Sequence, residues 1–366
     1  MRGTLVALVA ACCLSAANAA DAPAGAPKMP PNPVTVDADG TVHVPAIAIP
    51  VSEYLSPEGK AYLADHLNLM RHPELLVQHD GVPLLLAGFI DRQKVLYAVN
   101  KEDTSVAGVH AYVYTPKGGI APKNAARVLI NLHGGGFQGC WPACAELESI
   151  PIAALSGIKV VSLDYREGPK YQFPAASEDV SIAYKELLKT YKPENIGIYG
   201  CSAGGMLTGM SVAWFQQHNL PKPGAIGIFC AGLNVSVGFG GDANYISSPA
   251  GEGRLMGPPP KAPAGEKARG AMPYLANADL NDPLVSPATS MDVVAKFPPT
   301  LIITGTRGFE MSAAVYAHSR LVKAGVESDL HVWEGMFHGF FYNPDVPESR
   351  DCYDVIVKFF DHHLRT

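Results

Sequence analysis

A serine flanked by small residues follows an apolar segment in the stretch "NIGIYGCSAGG", residues 195–205. Residues 200–204 fit the pattern G-x-S-x-G, in which a serine occupies a tight turn between a strand and a helix and exposes its hydroxyl. The glycines let neighbouring backbone pass without Cβ clashes. Because a strand-like segment precedes the turn and a helical pattern follows it, the context favours Ser202 as a catalytic nucleophile over a purely structural turn.

Consecutive glycines follow another apolar segment, in the stretch "HGGGF" that begins at His133. Such glycines expose backbone N–H groups that can converge on a single oxygen atom. A tetrahedral oxyanion needs this kind of stabilisation, and each donor contributes roughly 3 kcal/mol in the transition state. The stretch therefore predicts an oxyanion-binding loop rather than a merely flexible strand end.

A histidine lies just past the last predicted strand, in the stretch "EGMFHGF". A general base must approach the serine from a loop at the same edge of the sheet, and the chain order of serine before histidine suits this arrangement. We therefore predict His338 as the base. His331 lies within the strand itself and is assigned a structural role.

Alternating strands and helices must position these residues. The predicted strands are mostly apolar, as expected for strands that are buried on both faces. They are "AGVHAYVYTP", "ARVLINLHGGG", "GIKVVSLDY", "NIGIYG", "GAIGIFCAG", "TLIITG" and "DLHVWEG". The predicted helices are "AASEDVSIAYKELLKTY", "AGGMLTGMSVAWFQQH", "SAAVYAHSRLVKAG" and about 349–364. This alternation predicts an α/β fold with a mostly parallel sheet covered on both faces, whose ligands bind at the carboxyl ends of the strands.

Composition limits the class of protein. The chain has 366 residues, of which 48% are hydrophobic, and a formal net charge of -6. This length suits one large α/β domain with an accessory region. The charge provides no basic surface for nucleic acid, and no repeat of fixed period stands out.

The first residues have the pattern of a secretory signal peptide. Arg2 gives a positive start, residues 5–14 are apolar, and residues 17–19 form a small-residue cleavage site. We predict a signal peptide over 1–19 and an exported protein, periplasmic or secreted, with no stable membrane span. Residues 9–12 also resemble a lipoprotein cleavage box, which leaves membrane anchoring as the alternative.

The remaining segments divide the chain further. Residues 20–50 are rich in Pro and Ala and are predicted to form an extended arm. Residues 51–366 are predicted to form a single domain, with a helical and irregular cap from about 51–100 and 236–290. Cys140 and Cys144 could pair in an oxidising compartment if the loop brings them within reach. No metal site or cofactor is predicted.

Several motifs occur together in a recognisable order: "HGGGF", "LDYREGPKYQFPAASEDV", "GCSAGG", "NDPLVSP" and "EGMFHGF". Over roughly residues 105–364 the chain resembles the hormone-sensitive-lipase-like, bacterial family IV branch of the α/β-hydrolase carboxylesterases. The resemblance implies Ser202 as nucleophile and His338 as base. It also implies three backbone N–H groups as oxyanion donors, those of Gly135, Gly136 and Ala203.

The chain departs from this family at two positions. The residue before the nucleophile is usually Asp, and here it is Cys201, which we interpret as a small buried residue rather than a redox group. The acid of the triad is expected about where Gly308 stands, and glycine cannot orient a histidine. Glu310 is the nearest carboxylate, whereas Glu334 is interpreted as structural and Asp282 as a turn residue.

Side-chain length alone does not bring Glu310 to the usual acid position. Two residues displace the backbone by about 3 Å in a helix and nearly 7 Å in a strand, whereas one extra methylene adds only about 1.5 Å. We therefore predict Glu310 as the triad acid through a rearranged loop. A missing acid, or one from a distant position, is the alternative.

The residues and the resemblance together predict an exported serine carboxylesterase that hydrolyses short- to medium-chain acyl esters of small molecules. Amides and lactones are related substrates that the same motifs allow. A non-catalytic or weakly active ligand-binding homologue is the alternative, and Gly308 is the feature that favours it.

Overall fold

The computed structural model describes most of the chain, namely residues 34–44, 48–79, 81–235, 241, 243 and 272–365. It divides into two units, 1–50 and 51–366, which we describe separately. In the first unit, β1 (Thr35–Val36) pairs antiparallel with β2 (Val42–His43). The predicted signal peptide and much of the predicted arm fall outside the described residues.

The second unit is built on an eight-stranded sheet. Its strands are β5 (Val99–Val106), β6 (Val109–Pro116), β7 (Val128–Leu132), β8 (Lys159–Leu163), β9 (Ile196–Cys201), β10 (Ala225–Phe229), β11 (Thr300–Gly305) and β12 (Ser328–Trp333). They lie in the order β12-β11-β10-β9-β7-β8-β6-β5, with β6 antiparallel to both its neighbours and the other pairs parallel. A separate short pair joins β3 (Gln78–His79) to β4 (Val82–Pro83).

Helices cover both faces of this sheet. They are α1 (Pro57–Asn68), α2 (Leu84–Leu96), α3 (Ala143–Ser156), α4 (Ala175–Leu187), α5 (Ala203–Gln217), α6 (Met291–Val294), α7 (Met311–Lys323) and α8 (Pro347–His363). Short 3-10 helices are Leu69–Arg71, Pro73–Leu76, Pro122–Asn124, Pro193–Asn195, Pro273–Leu275, Pro287–Thr289 and Phe340–Tyr342. The predicted fold class, a mostly parallel α/β sheet flanked by helices, is confirmed.

Two apolar cores lie on opposite faces of the sheet because side chains alternate along each strand. In β9, Ile198 belongs to the core that includes Leu207 of α5, whereas Tyr199 belongs to the core that includes Ile150 of α3 and Phe360 of α8. Strands β7, β9, β10 and β11 are buried throughout. This explains why their sequences are almost continuously apolar.

Strand β5 and helix α3 belong to the sheet and its covering layers but were not among the sequence predictions. Strand β5 is an edge strand of mostly exposed polar residues, so it lacks the apolar signal of a buried strand. Helix α3 is buried over most of its length and contains Pro151. It therefore shows neither the amphipathic stripe nor the composition that identifies a surface helix.

The region predicted as one part of the cap, residues 51–100, contains α1 and α2. The side chain of Gln93 in α2 donates hydrogen bonds to the carbonyl oxygens of Leu147 and Tyr342, at 3.2 and 3.1 Å. The other part of the predicted cap, 236–290, lies largely outside the described residues. Among the helices that are described, none combines the length and apolarity needed to cross a membrane.

Candidate active site

Ser202 occupies the turn between β9 and α5. Its backbone has φ 57° and ψ -120°, a conformation that L-residues rarely adopt. The Ser202 N–H donates to the carbonyl oxygen of Phe229 at 2.8 Å, which fastens the turn to the end of β10. A Cβ on Gly204 would lie 1.7 Å from the carbonyl oxygen of Leu132, and one on Gly200 would lie 2.1 Å from it. The glycines of the motif are thus required by the close approach of this turn to β7.

The loop after β7 carries the consecutive glycines. Gly135 and Gly136 have φ values of 123° and 65°. A Cβ on Gly135 would lie 1.9 Å from the carbonyl oxygen of Gly139. Within the described part of the chain, no group accepts a hydrogen bond from the N–H of Gly135, Gly136 or Ala203. Ala203 begins α5, where first-turn N–H groups have no partner within the helix and can bind an anion.

His133 stabilises this loop through a hydrogen bond to its backbone. Its Nδ1 lies 2.7 Å from the carbonyl oxygen of Gly134, so Nδ1 carries the hydrogen. The Tyr165 hydroxyl donates to the His133 carbonyl oxygen at 2.6 Å, and the two rings stack with centroids 4.5 Å apart. Burial lowers the pKa of His133 to about 4, so the ring is neutral at neutral pH. His133 therefore has a structural role.

A disulfide bond joins Cys140 and Cys144. Cys144 lies in the first turn of α3, and its N–H donates to the Cys140 carbonyl oxygen at 2.8 Å. A Cβ on Gly135 would lie 2.8 Å from the Cβ of Cys140. The disulfide therefore packs directly against the glycine loop.

His338 follows β12 and is hydrogen-bonded to a buried carboxylate. Its Nδ1 lies 3.0 Å from Oε2 of Glu310. Because a carboxylate accepts, Nδ1 carries the hydrogen, and Nε2 is the nitrogen that can take up a proton. The other oxygen of Glu310 accepts from the Thr304 hydroxyl at 3.0 Å. Glu310 is 3% exposed, and the Phe309 ring stacks on the imidazole with centroids 4.4 Å apart.

The loop between β11 and α7 explains how Glu310 reaches the histidine. Gly308 N–H donates to the Gly305 carbonyl oxygen at 3.0 Å, and Met311 N–H donates to the Gly308 carbonyl oxygen at 3.2 Å. The chain therefore turns back on itself. A Cβ on Gly308 would lie 2.4 Å from Oε1 and 2.9 Å from Oε2 of Glu310. The Glu310 carboxylate thus occupies the space in which a side chain at position 308 would begin.

Cys230, at the end of β10, links the serine and the histidine. It directly follows Phe229, whose carbonyl oxygen binds the Ser202 N–H, and its Sγ accepts from the Gly339 N–H at 3.3 Å. Ligand atoms of Cys230, Glu310 and His338 lie within 4.8 Å of one another. The carboxyl ends of β9, β10, β11 and β12 therefore bring these residues to one edge of the sheet.

The other two carboxylates considered from the sequence form different contacts. Oε1 of Glu334 accepts from the Ser52 hydroxyl at 3.2 Å. Oδ1 of Asp282 accepts from the Leu284 N–H at 2.9 Å within a turn. Both sets of contacts are structural.

Glu148 of α3 was not singled out from the sequence, although it contacts the site. Its side chain is buried and accepts four hydrogen bonds. Oε1 binds the Gly134 N–H at 2.8 Å and the Tyr342 hydroxyl at 2.9 Å. Oε2 binds the Asn131 amide at 2.9 Å and the Cys201 N–H at 3.2 Å. Burial raises the pKa of Glu148 to about 7 against these hydrogen bonds. A lone acid in a helix has no sequence signal for such a position.

Cys201 is fully buried, and Cys230 lies in the same apolar core. Burial raises the pKa of both thiols, so both are protonated at neutral pH. A protonated, enclosed thiol agrees with the interpretation of Cys201 as a small buried residue.

Comparison with known proteins gives a consistent set of relatives. The sequence profile of a family described by its alpha/beta hydrolase fold matches residues 129–342. An acetyl-hydrolase of Streptomyces hygroscopicus is 30% identical over 235 residues, covering 64% of this chain and 75% of that protein. The carboxylesterase/phospholipase LipF of Mycobacterium tuberculosis is 32% identical over 251 residues, covering 65% of this chain and 63% of LipF. The crystal structure of an esterase, E25, is similar with a TM-score of 0.73 and 28% identity, covering 88% of this chain and 99% of E25.

The chain therefore belongs to the hormone-sensitive-lipase-like esterases of the α/β-hydrolase fold. It is a carboxylic ester hydrolase. The resemblance predicted from the motifs is confirmed at the level of family and fold.

Proposed function

We propose that this chain is a serine carboxylesterase with Ser202 as nucleophile, His338 as general base and Glu310 as the acid that orients the histidine. The observation that carries the proposal is the hydrogen bond of 3.0 Å between His338 Nδ1 and Glu310 Oε2, formed by a carboxylate that fills the space at position 308. Gly135, Gly136 and Ala203 are proposed as the oxyanion donors. Their N–H groups have no acceptor among the described residues, which supports this role.

The chemistry follows from these roles. Ser202 Oγ attacks the ester carbonyl while His338 Nε2 takes the hydroxyl proton, and the Glu310 carboxylate stabilises the resulting imidazolium. The oxyanion accepts hydrogen bonds from the backbone N–H groups. When the tetrahedral intermediate collapses, His338 returns the proton to the departing alcohol and an acyl-enzyme remains. Water then attacks the acyl-enzyme by the same route and releases the carboxylic acid.

The position of the acid bears on the choice between this proposal and a ligand-binding homologue. The alternative rested on Gly308, which cannot orient a histidine. The contacts of Glu310 remove that support, because a buried carboxylate stands beside the place that Gly308 leaves open and is bonded to the histidine. The relatives named as esterases support a catalytic function in addition.

Substrate and location are further parts of the proposal. A relative named acetyl-hydrolase supports short acyl groups, and we propose short- to medium-chain acyl esters as substrates. The signal-peptide pattern of residues 1–19 supports export to the periplasm or the medium. Fractionation of cells that express the full chain tests the location, because an exported enzyme loses its leader and leaves the cytoplasm.

The activity is tested by hydrolysis of p-nitrophenyl acetate, butyrate and octanoate. Wild type is compared with Ser202→Ala and Glu310→Gln, and a fluorophosphonate probe measures serine reactivity. We expect activity that decreases towards the longer chain, and its loss in Ser202→Ala. We expect Glu310→Gln to lower kcat by roughly ten-thousand-fold, the usual cost of losing the acid. Wild type that neither hydrolyses these esters nor reacts with the probe would contradict the proposal.

A further inference from the structure

One buried carboxylate contacts three of the segments that form the site. Glu148 accepts from Gly134 in the glycine loop, from Cys201 just before the serine, and from Tyr342 just after the histidine. The fourth donor is the side chain of Asn131 at the end of β7. Each carboxylate oxygen receives two hydrogen bonds. The acceptor positions of the carboxylate are therefore filled.

The donors are all neutral, so the carboxylate is not held by an ion pair. Burying a charge without a cation is costly, and four hydrogen bonds offset only part of the cost. The neighbouring acid on the same helix differs in this respect. Glu146 forms salt bridges to Lys94 at 2.8 Å and Lys101 at 2.6 Å. Glu148 is thus held by neutral donors alone, and these four donors would lose their acceptors if an apolar residue stood at position 148.

We infer that Glu148 is a positioning residue for the proposed reaction. One carboxylate oxygen binds the Gly134 N–H in the oxyanion loop, and the other binds the Cys201 N–H just before the serine. The carboxylate thereby holds the loop and the serine turn at a fixed separation. This inference rests on the proposed function, because it concerns the alignment of the oxyanion donors with Ser202. Glu148 does not touch the reacting atoms. It acts through the backbone of the two segments that do.

The arrangement also explains the chemistry required at position 148. Two backbone N–H groups cannot reverse their direction, and they bind different oxygens of the side chain. A carboxylate accepts at both oxygens, whereas the amide of glutamine accepts at one and donates at the other. Glu148→Gln therefore leaves the N–H of either Gly134 or Cys201 facing an N–H donor. This holds for either orientation of the amide.

The test is the separate measurement of kcat and KM for p-nitrophenyl butyrate with Glu148→Gln. We expect kcat of Glu148→Gln to fall by about 10- to 100-fold, the size of effect that an unsatisfied buried donor produces. The loss is expected in kcat because the oxyanion donors move relative to the serine. KM is expected to stay within about threefold, because the Glu148 side chain is buried and its oxygens are occupied by protein donors. Glu148→Asp keeps both acceptor oxygens on a shorter side chain, and we expect its kcat to lie between those of Glu148→Gln and wild type.

Glu146→Gln is the matched control, because it changes the same residue type on the same helix and touches neither segment. We expect it to lower the melting temperature while kcat stays within about twofold of wild type. The inference is overturned if Glu148→Gln keeps wild-type kcat, or if kcat falls equally in Glu146→Gln at the same loss of stability. If Glu148→Gln does not fold, an Asp variant that raises KM while keeping kcat overturns it too. Activity that survives Ser202→Ala would instead refute the proposed function.

Discussion

Because the Glu310 carboxylate occupies the space beside Gly308, a side chain at position 308 should displace it from His338. In Gly308→Ala, the new Cβ would lie 2.4 Å from Oε1 of Glu310, whereas ordinary contacts begin at 3.4 Å. The carboxylate must therefore move by about 1 Å. The distance from Glu310 Oε2 to His338 Nδ1 is 3.0 Å and would increase to about 4 Å, beyond hydrogen-bond range.

The expected loss can be bounded from both sides. A misplacement of about 1 Å costs roughly 100-fold, and complete loss of the acid costs roughly ten-thousand-fold. We therefore expect kcat for p-nitrophenyl butyrate to fall by at least about 100-fold and at most about 10,000-fold in Gly308→Ala. The folded state should survive, because the group displaced is the end of a flexible side chain. Gly118→Ala is the control, since a Cβ there meets nothing within 4 Å.

A double variant tests the mechanism of this loss. In Glu310→Ala the carboxylate is absent, so adding Gly308→Ala should cause no further loss of kcat. If the two losses multiply in full, the alanine acts on something other than the carboxylate. Gly308→Ala with unchanged kcat would show that the observed position of Glu310 is not the working one. A third variant, Gly308→Asp with Glu310→Ala, returns the acid to its usual position and should recover part of the activity.

Three further predictions concern stability and the support of the site. Replacing Cys140 and Cys144 by serine should lower the free energy of unfolding by about 2 kcal/mol, as measured in urea. It should also lower kcat, because the disulfide packs against the glycine loop. An unchanged kcat would show that the disulfide does not support the site. Gly204→Ala should prevent folding, since its Cβ would lie 1.7 Å from the Leu132 carbonyl oxygen, and a soluble variant with wild-type melting temperature would contradict the described turn. Burial raises the pKa of Glu148 to about 7, so its stabilising contribution is present below the unfolded pKa, about 4.5, and is lost as the pH rises through about 7. Wild type should accordingly lose roughly 3 kcal/mol relative to Glu148→Gln between these pH values in urea unfolding, and a constant difference would contradict the raised pKa.

The predicted fold and the position of the serine followed from local patterns. Continuous apolar runs separated by helical segments predict a parallel sheet, because a strand that is buried on both faces needs apolar residues at every position. The stretch around Ser202 is similarly local, since the turn demands small residues at fixed offsets. His338 was predicted as the base because loops after parallel strands meet at one edge. The polar edge strand β5 and the buried helix α3 lack such patterns, because their surroundings come from distant segments.

The sequence by itself therefore determined the family, the fold and the candidate nucleophile and base. Each of these depends on residues that are close together in the chain. Only the tertiary structure decided how Glu310 relates to His338. The offset from Gly308 is closed by a turn between β11 and α7, and no spacing rule predicts where that turn directs a side chain. Glu148 is the clearest case, because its four partners come from three separate segments, residues 131–134, Cys201 and Tyr342. A buried acid acquires such a role through contacts distant in sequence, which become visible only after the chain has folded.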